Sequence, residues 1–292
     1  MPGVYRDYDQ AALDRQYDQA TLVPNGAEYV ADWLERSGAA RRSLRSIDDV
    51  AYGVHPDERL DIFPAGDSAA PAVVLYHGGA WRQMSRKHFA LIAAPLGAIG
   101  ITTVVAGFSL APAASLDVIV HQARSALAWV HANGRAHGID PARLHVAGHS
   151  SGAHLAGLVA LTDWTTWGMP ADVVKGAALL SGLYDLEPVQ LSARNGYLHL
   201  SAEGAQRLSA IRQLSERAFR PRLFVGWADG DQDEFRRQGR DFVGACAVAG
   251  WSEDALASIE IEGMNHFSVV ESMVANDGAV VETIRAMASS SA

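Results

Sequence analysis

The stretch "RLHVAGHSSGAHLAGLVAL", residues 143–161, decides the fold. A short apolar run, "LHVA", ends in Gly-x-Ser-x-Gly and passes at once into a helical pattern of small apolar residues, "AHLAGLVAL". Gly148 and Gly152 stand two residues either side of Ser150. A strand-to-helix turn tight enough to need glycine at both places pushes the serine hydroxyl out beyond the head of a sheet. The start of the following helix adds positive potential beneath that hydroxyl. A chain with 27 glycines produces Gly-x-Ser-x-Gly by chance often enough that the pattern means little alone. The strand before it and the helix after it carry the reading.

The same rhythm runs through most of the chain. From residue 72 onward, "AVVLY", "ITTVVAG", "RLHVAG", "GAALLSG", "RLFVGW" and "ALASIEIEG" alternate with helical patterns such as "KHFALIAAPLGAIG", "SLDVIVHQARSALAWVHANG" and "DEFRRQGRDFVGACA". Continuous apolar runs are strands buried on both faces, and helices between them are crossovers, so the expected fold is α/β with a mostly parallel central sheet flanked by helices. Before it, "VAYG…LDIF" around "HPDER" reads as a pair of antiparallel strands. Residues 1–46 read as an N-terminal helical segment, with Asn25 as a cap and Tyr29, Val30, Trp33 and Leu34 on one face. Residues 187–218, too long for a simple loop, are expected to form a small helical cap together with that segment, one that favours small acyl groups. Residues 1–292 are expected to form a single domain.

Folds of this kind place ligands at the carboxyl ends of the strands. A serine nucleophile needs donors for the oxyanion it generates, and "LYHGGAW", residues 75–81, follows the first core strand. The backbone N–H groups of Gly78, Gly79 and Ala80, with that of Ser151, are the candidate oxyanion hole; one such donor is worth about 3 kcal/mol. The base must come last in the chain order serine, acid, histidine. Of eleven histidines, only His266 in "EGMNHFSVV" follows the last expected strand and precedes a helix. The acid is expected after "RLFVGW", in "WADGDQDEF", residues 227–235, where Asp229, Asp231, Asp233 and Glu234 crowd together. An EF-hand loop is excluded, because the positions needing its Gly and bidentate Glu hold Glu234 and Arg240. Asp233 and Glu234 begin a helix with an apolar face of Phe235, Phe242, Val243 and Cys246, which leaves Asp229 and Asp231, with Asp185 in "SGLYDL" as an outside candidate.

The set "HGGAW", "GHSSGAHLA", "SGLYDLEPV", a carboxylate before "EFRRQ", and "NHF" resembles the kynurenine formamidase (arylformamidase) branch of the α/β-hydrolase superfamily, close to the hormone-sensitive-lipase-like esterases. The resemblance covers nearly the whole chain, including "YRDYDQAALDRQY", and His-Gly-Gly-x-Trp is its most specific piece. It implies an α/β-hydrolase fold and a serine hydrolase that cleaves an aryl formamide such as N-formylkynurenine, with a short-acyl carboxylesterase as the alternative. In that family the acid stands four residues before the Phe of the "EF-x-R-Q" helix start, here Asp231; the lipase-like pattern would select Asp229 as the runner-up. The chain departs from these relatives at residues 107–112, where "GFSLAP" lacks their tyrosine and arginine.

Trp81, Tyr184, Trp227 and Phe267 flank these motifs and are the expected aromatic substrate contacts. A net charge of −9 argues against nucleic acid or anionic membrane as a partner. No metal and no cofactor are expected, since no histidine pair has zinc spacing. The N-terminal "MPGVYRDYDQ" lacks the charge and apolar run of a signal peptide, and the lone Cys246 suits a reducing compartment, so a cytoplasmic location is expected. Disorder is expected only at the terminal "SSSA", and a homodimer is admitted without being decided by the sequence.

Overall fold

The computed structural model describes residues 3–66, 69–214 and 219–289. Helices α1 (Gln10–Gln16), α2 (Gln19–Leu22) and α3 (Gly26–Ser43) precede a sheet of eight strands. There follow β1 (Ile47–Ala51), β2 (Arg59–Phe63), β3 (Ala70–Tyr76), α4 (Ala93–Ala98), β4 (Thr102–Ala106), α5 (Leu116–Asn133), β5 (Ile139–His149) and α6 (Ser151–Ala160). The chain continues through β6 (Val174–Leu180), α7 (Glu187–Leu191), α8 (Asn195–Leu198), α9 (Ala202–Arg207), β7 (Arg222–Gly230), α10 (Asp233–Val248), β8 (Leu256–Asn265) and α11 (Ala279–Ser289). The spatial order is β1-β2-β4-β3-β5-β6-β7-β8; β1 and β2 are antiparallel to their neighbours and every other pairing is parallel.

The apolar runs explain the layering. In β3, Ala72, Val74 and Tyr76 point into one core and Val73 and Leu75 into the other, so a strand without polar residues feeds both faces. The first core is closed by α5, α6 and α10, through residues such as Leu127, Leu155 and Phe242. The second is closed by α3, α4 and α11, through Trp33, Leu96 and Ile284. No helix among the described residues is long and apolar enough to cross a membrane.

Local structure differs from the sequence reading in several places. "YRDYDQAALDRQYD" is not one helix: Tyr5 to Tyr8 is a turn, and α1 starts only after Asp9, whose side chain accepts from the Ala12 N–H at 2.8 Å. Asn25 precedes α3 but makes no side-chain cap, and Leu34 is exposed; the buried stripe of α3 is Trp33, Ser37 and Ala40. The pattern at residues 87–100 breaks into short 3₁₀ turns before α4, because the Ser85 hydroxyl and the His88 ring close a separate capping box there. The 187–218 insertion contains three short helices, α7 to α9; its residues 215–218 lie outside the described ones, as do residues 290–292 of "SSSA".

Candidate active site

At the head of β5 the chain turns as sharply as its glycines allow. Ser150 sits at φ 57°, ψ −123°, a left-handed backbone that a β-carbon disfavours. A Cβ on Gly148 would lie 2.3 Å from the Gly152 carbonyl carbon, and one on Gly152 would lie 2.0 Å from the Tyr76 oxygen. Both positions therefore exclude any larger residue, and the strain at Ser150 is held by its N–H donating to Leu180 O at 2.9 Å. The hydroxyl so presented lies 2.9 Å from His266 Nε2, and His266 Nδ1 lies 2.6 Å from Asp231 Oδ1.

This geometry fixes the proton positions. A carboxylate only accepts, so Nδ1 of His266 carries the proton and donates to Asp231, leaving Nε2 to accept from the Ser150 hydroxyl. Asp231 is 5% exposed. Burial alone would raise its pKa, but the His266 ring, the Ser181 hydroxyl donating at 2.6 Å and the Ala228 N–H donating at 2.9 Å together hold it below the usual carboxylate value. Asp229 is elsewhere: its carboxylate accepts from the Gly263 and Met264 N–H groups of β8 at 3.0 and 3.2 Å and is exposed. Asp185 accepts from the Glu187 N–H at 3.1 Å and does not meet His266. Of the remaining pair in this cluster, Asp233 is exposed in the first turn of α10, while the fully buried Glu234 takes Nε and Nη2 of Arg237 at 2.8 and 2.7 Å.

The turn after β3 carries its own strain, with Gly79 at φ 111°, Ala80 at φ 54° and Trp81 at φ 57°. A Cβ on Gly79 would meet Gln83 O at 2.0 Å, so this glycine is obligatory. The N–H groups of Gly78, Gly79 and Ala80 reach no protein acceptor among the described residues, and Ser151, first in α6, has no intrahelical partner for its own. Two bonds hold this turn against the elbow and the outer wall: the Trp81 N–H donates to Ser151 Oγ at 3.3 Å, and the Tyr197 hydroxyl donates to Ala80 O at 3.2 Å.

Three further histidines serve as uncharged struts. His77 Nδ1–H donates to Gly78 O at 2.8 Å, His149 Nε2–H donates to His266 O at 2.8 Å, and His154 accepts from Trp81 Nε1 while donating to Leu208 O. Burial drives their pKa values down to about 4, about 3 and about 4 respectively, so all three are neutral at pH 7. Around the triad, His149 and Ser181 are residues that sequence reasoning missed. The first occupied the variable position of the elbow, and the second opens "SGLYDL", where the carboxylate of Asp185 drew the attention instead.

A cavity of about 540 Å³ opens above Ser150 and His266. Its walls include Trp33, Phe267, Tyr17 and Tyr197, together with Gly79 and Ala80. Only Phe267 of the four expected aromatics lies there, stacked on Tyr29 and tilted against Trp33. The other three are core residues. Trp81 is spent on His154, Tyr184 stacks on Phe242 at 4.3 Å, and Trp227 packs on Gly239 of α10 so closely that a Cβ there would lie 2.6 Å from the indole. Nearness to the motifs made them conspicuous, but all three side chains are turned into the packed core.

The sheet order and the site define an α/β hydrolase. Comparison with known proteins carries this further. The BD-FAE family model matches residues 60–172. A kynurenine formamidase of Danio rerio is 33% identical over 80% of this chain and 79% of its own, and one of Salmo salar is 29% identical over 94% of each. Among solved structures, the Pyrobaculum calidifontis esterase superposes with a TM-score of 0.71 at 21% identity, covering 92% of this chain and 93% of its own. The chain belongs to the kynurenine formamidase family, and the protein is a hydrolase.

Proposed function

We propose that the protein hydrolyses an aryl formamide, with N-formylkynurenine as the type substrate, through Ser150, His266 and Asp231. The single observation that carries this reading is the unbroken chain of contacts at 2.9 and 2.6 Å from Ser150 Oγ through His266 to Asp231, beneath an aromatic-walled cavity. In the first step His266 Nε2 takes the Ser150 proton as Oγ attacks the formyl carbon, and the negative charge on the carbonyl oxygen falls to the N–H groups of Gly79, Ala80 and Ser151. His266 then returns the proton to the aryl nitrogen as the C–N bond breaks, giving a formyl ester on Ser150 and a free arylamine. Water, deprotonated by the same ring, cleaves that ester to formate. Asp231 keeps the imidazole in the required tautomer throughout and is not itself protonated.

Trp33, Tyr17, Tyr197 and Phe267 supply flat apolar faces for the aryl group, and a formyl group needs no acyl pocket. The residues of the outer wall come from the N-terminal segment and the 187–218 insertion, which supports reading the two together as a cap. Cys246 is buried among apolar residues, with its thiol pushed up to about 12, and this inert thiol accords with a cytoplasmic location. The test compares kcat/KM for N-formylkynurenine with those for 4-nitrophenyl acetate and butyrate. Preference for the formamide is expected; negligible formamide cleavage beside efficient ester turnover would make the protein a short-acyl carboxylesterase.

A further inference from the structure

A second cavity, of about 240 Å³, lies beside the turn after β3. Met84 lines both it and the catalytic cavity, and Gly107, Phe108 and Leu110 of its wall come from "GFSLAP", the segment in which the chain departs from its relatives. His77 also lines it, 1% exposed and stacked on Phe108 with ring centroids 4.2 Å apart. A carbonyl only accepts, so the proton of the neutral ring is on Nδ1, which donates to Gly78 O at 2.8 Å, and Nε2 is a bare acceptor. Among the described residues nothing donates to that nitrogen, yet it is not sealed inside the protein as both ring nitrogens of His145 are. The small accessible surface of His77 opens on the cavity that its ring lines.

The rest of the wall defines what fits. Met84, Phe108, Leu110 and Ala113 supply apolar surface, and the Ser85 hydroxyl is already engaged by the Lys87 N–H. Arg86 is paired with Asp61 and Asp49, and Asp57 is exposed and solvated at the rim. No buried charge there lacks a counter-ion, so an ionic guest would lose hydration without gaining a partner, and a neutral one is favoured. His77 also reaches the chemistry. Gly78 O and the Gly79 N–H belong to one peptide group, and that N–H, a candidate oxyanion donor, has no protein acceptor among the described residues. A donor on Nε2 strengthens Nδ1–H, which polarises the peptide and strengthens the Gly79 N–H toward a developing negative charge.

We infer that the second cavity binds a neutral, ring-sized molecule with a single N–H or O–H donor, which bonds His77 Nε2 and raises turnover through the Gly79 N–H. The effect on turnover rests on the oxyanion reading proposed above, whereas the binding does not. Linked hydrogen bonds strengthen one another by about 10–30%, which on one oxyanion donor is about twofold to fivefold in kcat.

The probe is pyrazole, set against N-methylpyrazole, which has the same ring without the donor. Binding is read from the nitrogen resonances of the histidine rings, with those of His77 assigned by their absence in His77→Phe. Turnover is read on 4-nitrophenyl butyrate and on N-formylkynurenine at saturating substrate, with non-enzymatic hydrolysis subtracted. Pyrazole should shift the His77 Nε2 resonance and raise kcat about twofold to fivefold, and N-methylpyrazole should do neither. Ala113→Trp, which fills the cavity from its exposed rim and leaves His77 in place, should abolish both responses, and it keeps the test decisive if His77→Phe does not fold. Absence of a shift, an equal response to the two azoles, or simple competition with substrate would overturn the inference. A shift with kcat unchanged would uphold the site and overturn its link to the oxyanion. Turnover of the ester alone would fail the formamide reading and leave this one to be decided by the same two azoles.

Discussion

The strand ends and the outer wall of the cavity are built on different terms. At the strand ends, each contributing residue follows its own strand within a few positions: Ser150 after β5, Ser181 after β6, Asp231 after β7 and His266 after β8. Register within one sheet sets their spacing, and residues 148 and 152 pack so closely that a Cβ on either would clash. The outer wall comes from segments that are distant in sequence. Arg194 holds Tyr17, Gln19 holds Gln232, and the Gln16 side chain accepts from the Glu234 N–H, joining the N-terminal helices to the insertion and to α10. The strand-end contacts are thus set by local backbone geometry, whereas the cavity wall depends on long-range side-chain bonds.

This contrast predicts a hierarchy of effects. Ser150→Ala should cost about 10⁶ in kcat on any accepted substrate, with folding intact, because loss of the nucleophile disables the whole unit. A folded variant with substantial turnover would end the separation between the strand-end machinery and the wall.

Acid stability follows next in size. His77, His149 and His154 are neutral when folded, with pKa values lowered to about 4, about 3 and about 4, and His145 is likewise lowered to about 4 by burial. Below about pH 6.5 the unfolded chain binds protons that the folded one refuses, so stability falls with pH by up to about 1.4 kcal/mol per unit for each histidine. Asp231, depressed when folded, has the opposite window: its contribution is intact above about pH 4 and is lost only below it. Urea midpoints should therefore decline steeply between pH 7 and pH 5, and a flat profile would show that the struts are not buried neutral rings.

The smallest effect tests the bond that joins the outer wall to the turn after β3. Tyr197→Phe removes the hydroxyl that donates to Ala80 O, a loss of about 1 kcal/mol, or roughly fivefold in kcat if the wall steadies the turn after β3. An unchanged kcat would mean that the bonds of Trp81 to Ser151 and Ala111 hold the turn without help from the wall.

The difference in construction also explains what the sequence made legible. Unbroken apolar runs announced the parallel strands, because burial on both faces leaves no room for polar alternation. Gly-x-Ser-x-Gly announced the elbow because sterics tie glycine to that turn. Asp229 and Asp231 could not be separated by periodicity, since residues two apart in a strand share a face. The backbone separates them: β7 still runs through Asp229, whose carboxylate is taken by β8, and ends before Asp231. The cavity walls left almost no trace. Tyr17 and Arg194 are 177 residues apart, and no local pattern pairs them. Trp81, Tyr184 and Trp227 drew attention by adjacency to motifs, although adjacency along the chain says little about the direction of a side chain.

The account depends most on the assignment of the acid, and one paired measurement addresses it directly. Asp231→Asn and Asp229→Asn are assayed side by side on N-formylkynurenine, with circular dichroism to confirm folding. Asp231→Asn should lose about 10⁴ in kcat, as when the histidine tautomer is wrong, and Asp229→Asn should stay within about tenfold of the wild type. The reverse ranking would contradict the account, because it would give the function to a carboxylate held against β8 rather than against His266.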